Sequence, residues 1–260
     1  MSIYPSIIRS PLTLLLSVAL QLGTITGIEV NAADNIPGEI SALITQIDKT
    51  ASRHDLENLM NFYNPQFSHG DGLTYESIAQ ILKRLWEEYP DLEYQTKIRS
   101  WEQKGDIWIL ETVTKITGTR QLEAMMLNLQ SEIVSRQEFQ DQKLLRQEIL
   151  SEETQITSGD SPPTVEVRLP KEARIGEAFD FDVIVKEPLG NDFLLGSAMK
   201  EKIDDSQHLN PVELDLEILQ AGGLFKRIEA PDMPQDHWLS AIVIRGGGAV
   251  IVTHRVTIRP

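Results

Sequence analysis

The chain has no cysteine in its 260 residues. That excludes disulfides, a thiol nucleophile and thiolate metal sites. Basic residues are also scarce: 24 Lys and Arg stand against 39 Asp and Glu, for a formal net charge of −15. A surface this acidic repels phosphate backbones and anionic headgroups, so nucleic acid is not an expected partner. Aromatic residues make up only 6% of the chain, so the places where they gather are informative. No apolar run after the opening segment approaches the ~20 residues that a membrane span requires.

Several catalytic and cofactor signatures are missing too. Gly222-Gly223 and Gly246-Gly247-Gly248 stand between strand-like segments, whereas a phosphate cradle opens a helix. The sequence therefore calls for no cofactor. No Gly-x-Ser-x-Gly elbow occurs, and Gly196-Ser197-Ala198 is only a fragment of one. His54, His69, His208, His237 and His254 form no pair at ligand spacing, and no helix carries His-Glu-x-x-His, so no metal site is expected. Asp204-Asp205 and the Asp232–Asp236 stretch read as solvated turns, because no twelve-residue calcium loop surrounds them.

What is present begins with a leader-like segment, residues 1–32. Arg9 supplies positive charge, Leu14 to Leu22 is a short and mostly apolar core, and Val30-Asn31-Ala32 offers small residues for a cut. A signal peptide needs an apolar core of ~7–15 residues. An uncleaved anchor is the alternative, but Gln21 and Thr24 interrupt the run. No cysteine follows the core, so lipid attachment there is excluded. The expected product is an exported, soluble body in the periplasm, thylakoid lumen or extracellular space. Removing the leader leaves the charge unchanged, because Arg9 and Glu29 cancel.

The body divides at Ser158-Gly159-Asp160-Ser161-Pro162-Pro163, where small and helix-breaking residues cluster. The expected domains are 33–158 and 164–260, joined by a linker at 159–163. Residues 33–160 carry 22 acidic against 12 basic side chains, and 161–260 carry 16 against 11.

In the first half, Ile40, Leu43, Ile44 and Ile47 recur at helical spacing behind Pro37. A shorter stripe follows at Leu56, Leu59, Met60 and Tyr63. A third helix is marked by Thr74 as cap, by Ile78, Ile81, Leu82, Leu85 and Tyr89 on one face, and by Pro90 as stop. Residues 92–101 and 106–117 are rich in β-branched and aromatic side chains, with Lys104-Gly105-Asp106 as a turn. From 121 to 157 two periods compete. Gln, Glu, Leu and Met favour helix, while Met125, Leu127, Leu129, Ile133 and Phe139 share a strand face. Local evidence leaves the two open.

This order of elements, with Leu56-Glu57-Asn58-Leu59 leading to Tyr63-Asn64-Pro65-Gln66-Phe67, resembles the nuclear-transport-factor-2-like superfamily. Ile116-Thr117-Gly118 and Asp141-Gln142-Lys143-Leu144-Leu145-Arg146 resemble its third strand and final hairpin. The resemblance covers residues 36–158. It implies an α+β fold, a cone of three helices on a strongly curved antiparallel sheet, with 121–157 as strands. In the second half, strands are expected at 164–169, 178–186, 193–200, 212–219, 223–229, 237–245 and 249–258. Seven short strands resemble an immunoglobulin-like sandwich, without its Cys–Trp–Cys hallmark. The two halves together resemble exported two-domain proteins of bacteria, cyanobacteria especially.

Enzymes of the resembled superfamily use Asp, His and Tyr in the cone cavity for proton transfer. By that resemblance His69 and Asp71 are the catalytic candidates; the plainer alternative makes Asp71-Gly72 a turn with His69 at its edge. Glu148 and Glu152 are even-spaced on the last strand, facing either a cavity or solvent. In a cone fold Trp86, Tyr89, Tyr94, Trp101 and Trp108 lie on the elements that enclose the pocket, as lining for an apolar ligand or as core packing. The leading expectation is an exported, non-catalytic binding or scaffolding protein whose pocket holds a small apolar ligand or a protein partner, with a β-sandwich docking module. The alternatives are a lyase or isomerase built on His69 and Asp71, and a structural envelope protein. A homodimer is expected by resemblance alone.

Overall fold

A computed structural model describes residues 31–32, 35–123, 125–190, 192–203, 215–219 and 222–260. The apolar core of the leader, Asp204-Asp205, His208 and the start of the strand expected at 212–219 lie outside the described residues. Along the chain come β1 (Asn31–Ala32), α1 (Gly38–Ser52), α2 (Leu56–Met60), β2 (Tyr63–His69), α3 (Tyr75–Glu88), β3 (Glu93–Lys104), β4 (Ile107–Leu122), β5 (Met125–Gln140) and β6 (Lys143–Ser158). The remainder is strand: β7 (Val165–Arg168), β8 (Glu172–Arg174), β9 (Ala178–Val185), β10 (Leu194–Lys202), β11 (Glu217–Leu219), β12 (Gly223–Glu229), β13 (His237–Arg245) and β14 (Gly248–Arg259).

The expected α+β architecture, three helices on a strongly curved sheet followed by an immunoglobulin-like sandwich, does not form. Among the described residues strands account for 58% and helices for 16%, and the strands assemble into large antiparallel sheets. The second helical stripe ends after five residues at Met60, because Tyr63 onward enters β2. The Gln- and Glu-rich 121–157 region gives two sixteen-residue strands, β5 and β6, as the resemblance implied. Strand period prevails there over helix propensity: Leu127, Leu129, Ile133 and Phe139 are each about 1% exposed. Asp141 and Gln142 connect the two strands with positive φ at both positions, the backbone of a type I′ hairpin. Hydrogen-bonded neighbours run β1-β3-β4-β5-β6-β14-β13-β10-β11, with β2 on β6 and β8 on β14; β12-β9-β7 is separate.

The chain forms two compact units. Among the described residues, one holds those from Asn31 to Gly118 together with Ser131–Glu152; the other holds those of Thr119–Gln130 and Glu153–Pro260. In the first, α1 buries Ile40, Leu43, Ile44 and Ala51. Asp55 caps α2, accepting from the Asn58 backbone N–H at 3.2 Å. Thr74 caps α3 in a capping box with Ser77, and that helix buries Ile78, Leu82, Leu85 and Trp86. In the second unit, β14 pairs antiparallel with residues 153–158 of β6, placing His254 opposite Glu153. One core draws on both sheets of this unit, with Phe181 and Val183 of β9, Leu224 of β12, Leu239 of β13 and Val256 of β14 essentially unexposed. Gly248, at the β13–β14 turn, has φ +155° and carries no side chain for good reason: a Cβ there would stand 2.1 Å from the Ser158 carbonyl oxygen.

Among the described residues no helix is long and apolar enough to cross a membrane.

Candidate functional site

Alternation along the strands and the helical stripe of α1 bring a set of side chains together inside the first unit. They line a cavity of about 90 Å³. Its apolar wall includes Ile44 and Ile47 of α1, Leu82 of α3, Ile116 of β4, and Ile133 and Phe139 of β5. Polar groups enter from Asp48, Tyr63, Tyr94, Thr96, Thr114, Gln137 and Gln147.

The best-defined polar group is Asp48. It lies four residues beyond Ile44, so the same helix face carries both. Its Oδ2 accepts from the Thr96 backbone N–H and its Oδ1 from the Thr96 hydroxyl, both at 2.7 Å. Thr96 Oγ1 is also 3.0 Å from Thr114 Oγ1. A hydroxyl has one proton, and that of Thr96 goes to Asp48, so Thr114 donates to Thr96. The chain of bonds fixes the carboxylate on the wall. Burial pushes the Asp48 pKa up from 3.8, and the two Thr96 bonds pull against that shift without cancelling it.

Two phenols complete the polar part. Burial pushes Tyr63 up to about 12 and raises Tyr94 as well, so both are neutral hydroxyls at ordinary pH. Trp86 Nε1 donates to the Tyr94 hydroxyl at 3.0 Å, and the Tyr94 backbone N–H donates to Ser52 Oγ at 2.9 Å. Gln137 Oε1 is buried and, among the described residues, accepts no hydrogen bond.

Of the five aromatic residues expected as pocket lining, Tyr94 stands in the wall of this cavity, and Trp86, Tyr89, Trp101 and Trp108 lie outside it. Trp86 reaches the cavity only through Tyr94, and His54 stacks on its other side at 5.0 Å between ring centroids. Tyr89 is fully buried in the core. Trp101 and Trp108 pack on each other at 5.5 Å. Sequence reasoning missed Asp48, Thr96, Thr114 and Gln137. The one available signal was Asp48, a carboxylate continuing the Ile40–Ile44 stripe.

His69 and Asp71 are brought close but lie outside the cavity lining. The Asp71 backbone N–H donates to His69 Nδ1 at 3.1 Å, which requires that nitrogen to be unprotonated. The Asp71 carboxylate is 3.9 Å from the same nitrogen, beyond hydrogen-bond range. Glu152 is buried and Glu148 half-buried, and neither lines the cavity. Among the described residues no group of three or more His, Asp or Glu is placed to hold a metal ion.

The raised Asp48 pKa has a consequence for stability. A carboxyl whose pKa is higher folded than unfolded binds more protons in the folded state between the two values, so stability falls as pH rises through that window. Asparagine carries no such term. Wild type should therefore lose stability relative to Asp48→Asn as pH climbs from about 3.8 upward, with the difference flat once the folded carboxyl has ionised. Urea unfolding of both proteins from acid to neutral pH measures this. A difference that does not change with pH excludes the effect.

Residues 160–259 match a family model described as a domain of unknown function, DUF8623. No curated protein matches the chain. Among solved structures, the chain is similar to Bd1075 of Bdellovibrio bacteriovorus, at 18% identity and a TM-score of 0.32 over 43% of this chain, and it spans 38% of that one. It is similar to a LEH-like epoxide hydrolase of M. tuberculosis at 12% identity and a TM-score of 0.30, covering 42% of this chain and 78% of the other. A loop-truncation variant of IdmH matches at 13% identity and a TM-score of 0.32, covering 42% and 89%. The latter two have the nuclear-transport-factor-2-like cone fold.

Proposed function

We propose that this protein is a non-catalytic binding protein that holds a small, largely apolar ligand in the cavity of its first unit. The observation that carries the reading is the lining: an apolar wall from α1, α3, β4 and β5, with a few convergent polar groups at Asp48, Tyr94, Thr96 and Thr114. Binding pockets have this composition, mostly hydrophobic with a small number of placed polar atoms. The volume limits the guest. An engineered cavity of about 150 Å³ takes benzene, so about 90 Å³ suits an aliphatic fragment of a few heavy atoms. Each such atom supplies at best about 1.5 kcal/mol. The leader-like pattern of residues 1–32 supports export as the setting in which the ligand is met.

Butan-1-ol is a suitable probe, and Ala51→Leu a suitable control. Ala51 is buried on α1 and lines the cavity, so leucine fills the space while keeping a good helix former. Saturable binding of butan-1-ol is expected by calorimetry and as a rise in melting temperature, since a ligand at about 100 times its Kd stabilises by about 2.7 kcal/mol. Ala51→Leu should abolish both effects while its circular dichroism stays that of wild type. No saturable binding, or binding that survives in Ala51→Leu, defeats the reading.

A further inference from the structure

We infer that the ligand is a small aliphatic amine, its protonated nitrogen donating to the Asp48 carboxylate. The inference rests on the binding role proposed for the cavity and narrows it to one chemical class.

A charge census is the first ground. Among the seventeen residues lining the cavity, Asp48 is the only one charged at neutral pH, and none is Lys, Arg or His. Among the described residues Asp48 forms no ion pair; its partners are the backbone N–H and hydroxyl of Thr96. A part-buried carboxylate held only by neutral donors is under-compensated, and a cation is what it lacks.

Hydrogen-bond stoichiometry is the second ground. Each Asp48 oxygen accepts one bond from Thr96 and retains a second lone pair. Gln137 Oε1 is a further buried acceptor with no donor. The Asp48 carboxylate and Gln137 Oε1 are thus two acceptors that a proton-bearing guest can serve. An ammonium brings three and a charge, an alcohol brings one, and a carboxylate brings none and repels Asp48. The chain's formal charge of −15 adds a long-range preference for cations over anions.

Geometry is the third. Thr96 grips both carboxylate oxygens at 2.7 Å and is itself held by Thr114 at 3.0 Å. The acceptor is therefore fixed before any ligand arrives, which lowers the entropic cost of binding.

The test titrates the full chain at neutral pH with butylamine, butan-1-ol and butyrate, three probes of matched length. Butylamine should bind about ten-fold tighter than butan-1-ol, the gain of a charge-assisted bond, and butyrate weaker than either. Asp48→Asn should bring butylamine down to the alcohol's affinity for wild type. That variant keeps its network, because Asn Oδ1 still accepts from the Thr96 backbone while Nδ2 donates to the Thr96 hydroxyl, which turns to donate to Thr114. Butyrate binding as tightly as butylamine, or butylamine indifferent to Asp48→Asn, overturns the inference while the alcohol's binding leaves the cavity reading standing. If none of the three probes binds saturably, both readings fall.

Discussion

Phe139→Ala is expected to destabilise the protein by about 3–5 kcal/mol, the range for deleting a buried aromatic ring. Phe139 lies on β5 with about 1% of its surface exposed, and its ring forms part of the cavity wall. The sheet cannot close over the gap, because β5 is hydrogen-bonded between β4 and β6. The lost ring would therefore enlarge the existing cavity of about 90 Å³. For a chain of this size the loss corresponds to a fall in melting temperature of about 10 °C. Benzene, too large for the wild-type space, should recover part of that loss in the variant and none in wild type. A loss under about 1 kcal/mol by urea titration would show that the wall repacks, against the general behaviour of such sites.

Asp236→Ala should cost about 3–5 kcal/mol for a different reason. Arg255, on the central strand β14, is about 5% exposed. Its Nε donates to Asp236 Oδ2 at 2.7 Å, and the Thr257 hydroxyl reaches the same oxygen at 3.3 Å. Removing Asp236 takes this charge-assisted bond from a buried guanidinium. The bond from the Ile203 N–H to the Asp236 carbonyl, at 3.2 Å, belongs to the backbone and survives the substitution, so the loss reads the side chain. Asp236→Asn keeps an acceptor and should lose about half as much. The double variant Asp236→Ala with Arg255→Met should recover most of the loss, because an apolar side chain of similar length has no charge to strand. Denaturant midpoints for the four proteins decide it. If the double variant is no better than Asp236→Ala alone, the penalty comes from packing and not from the lost ion pair.

Parts of this molecule were legible in the sequence because their causes are local. The α1 stripe of Ile40, Leu43 and Ile44 and the Thr74 cap of α3 depend on residues within one or two turns. So do the hairpin turns at Gly105 and Gly246-Gly247, which need only short runs of turn-forming residues. The Asp71-Gly72 turn at the end of β2 is a further example, with Gly72 at φ +81°.

The cavity was legible only at Tyr94. Asp48, Thr96, Thr114 and Gln137 come from α1, β3, β4 and β5, up to 89 positions apart in the chain. What aligns them is strand register: Thr96 stands directly opposite Thr114 in the β3–β4 pair. A one-residue slip would turn each side chain to the other face. Trp101 and Trp108 are close to Tyr94 in sequence, yet they pack together outside the cavity lining.

By itself, then, the sequence determined the chemistry that is absent: no thiol, a strongly acidic balance, no phosphate loop. It also determined the local elements whose hydrogen bonds close within a few residues. Local propensity left 121–157 open between helix and strand, and only the tertiary structure decided that the helices would be a minor part of the molecule and that Asp48 would be the charged group in the cavity. Each of those outcomes depends on partners distant in the chain, where the free energy comes from pairing and burial, and propensity along the backbone does not record it.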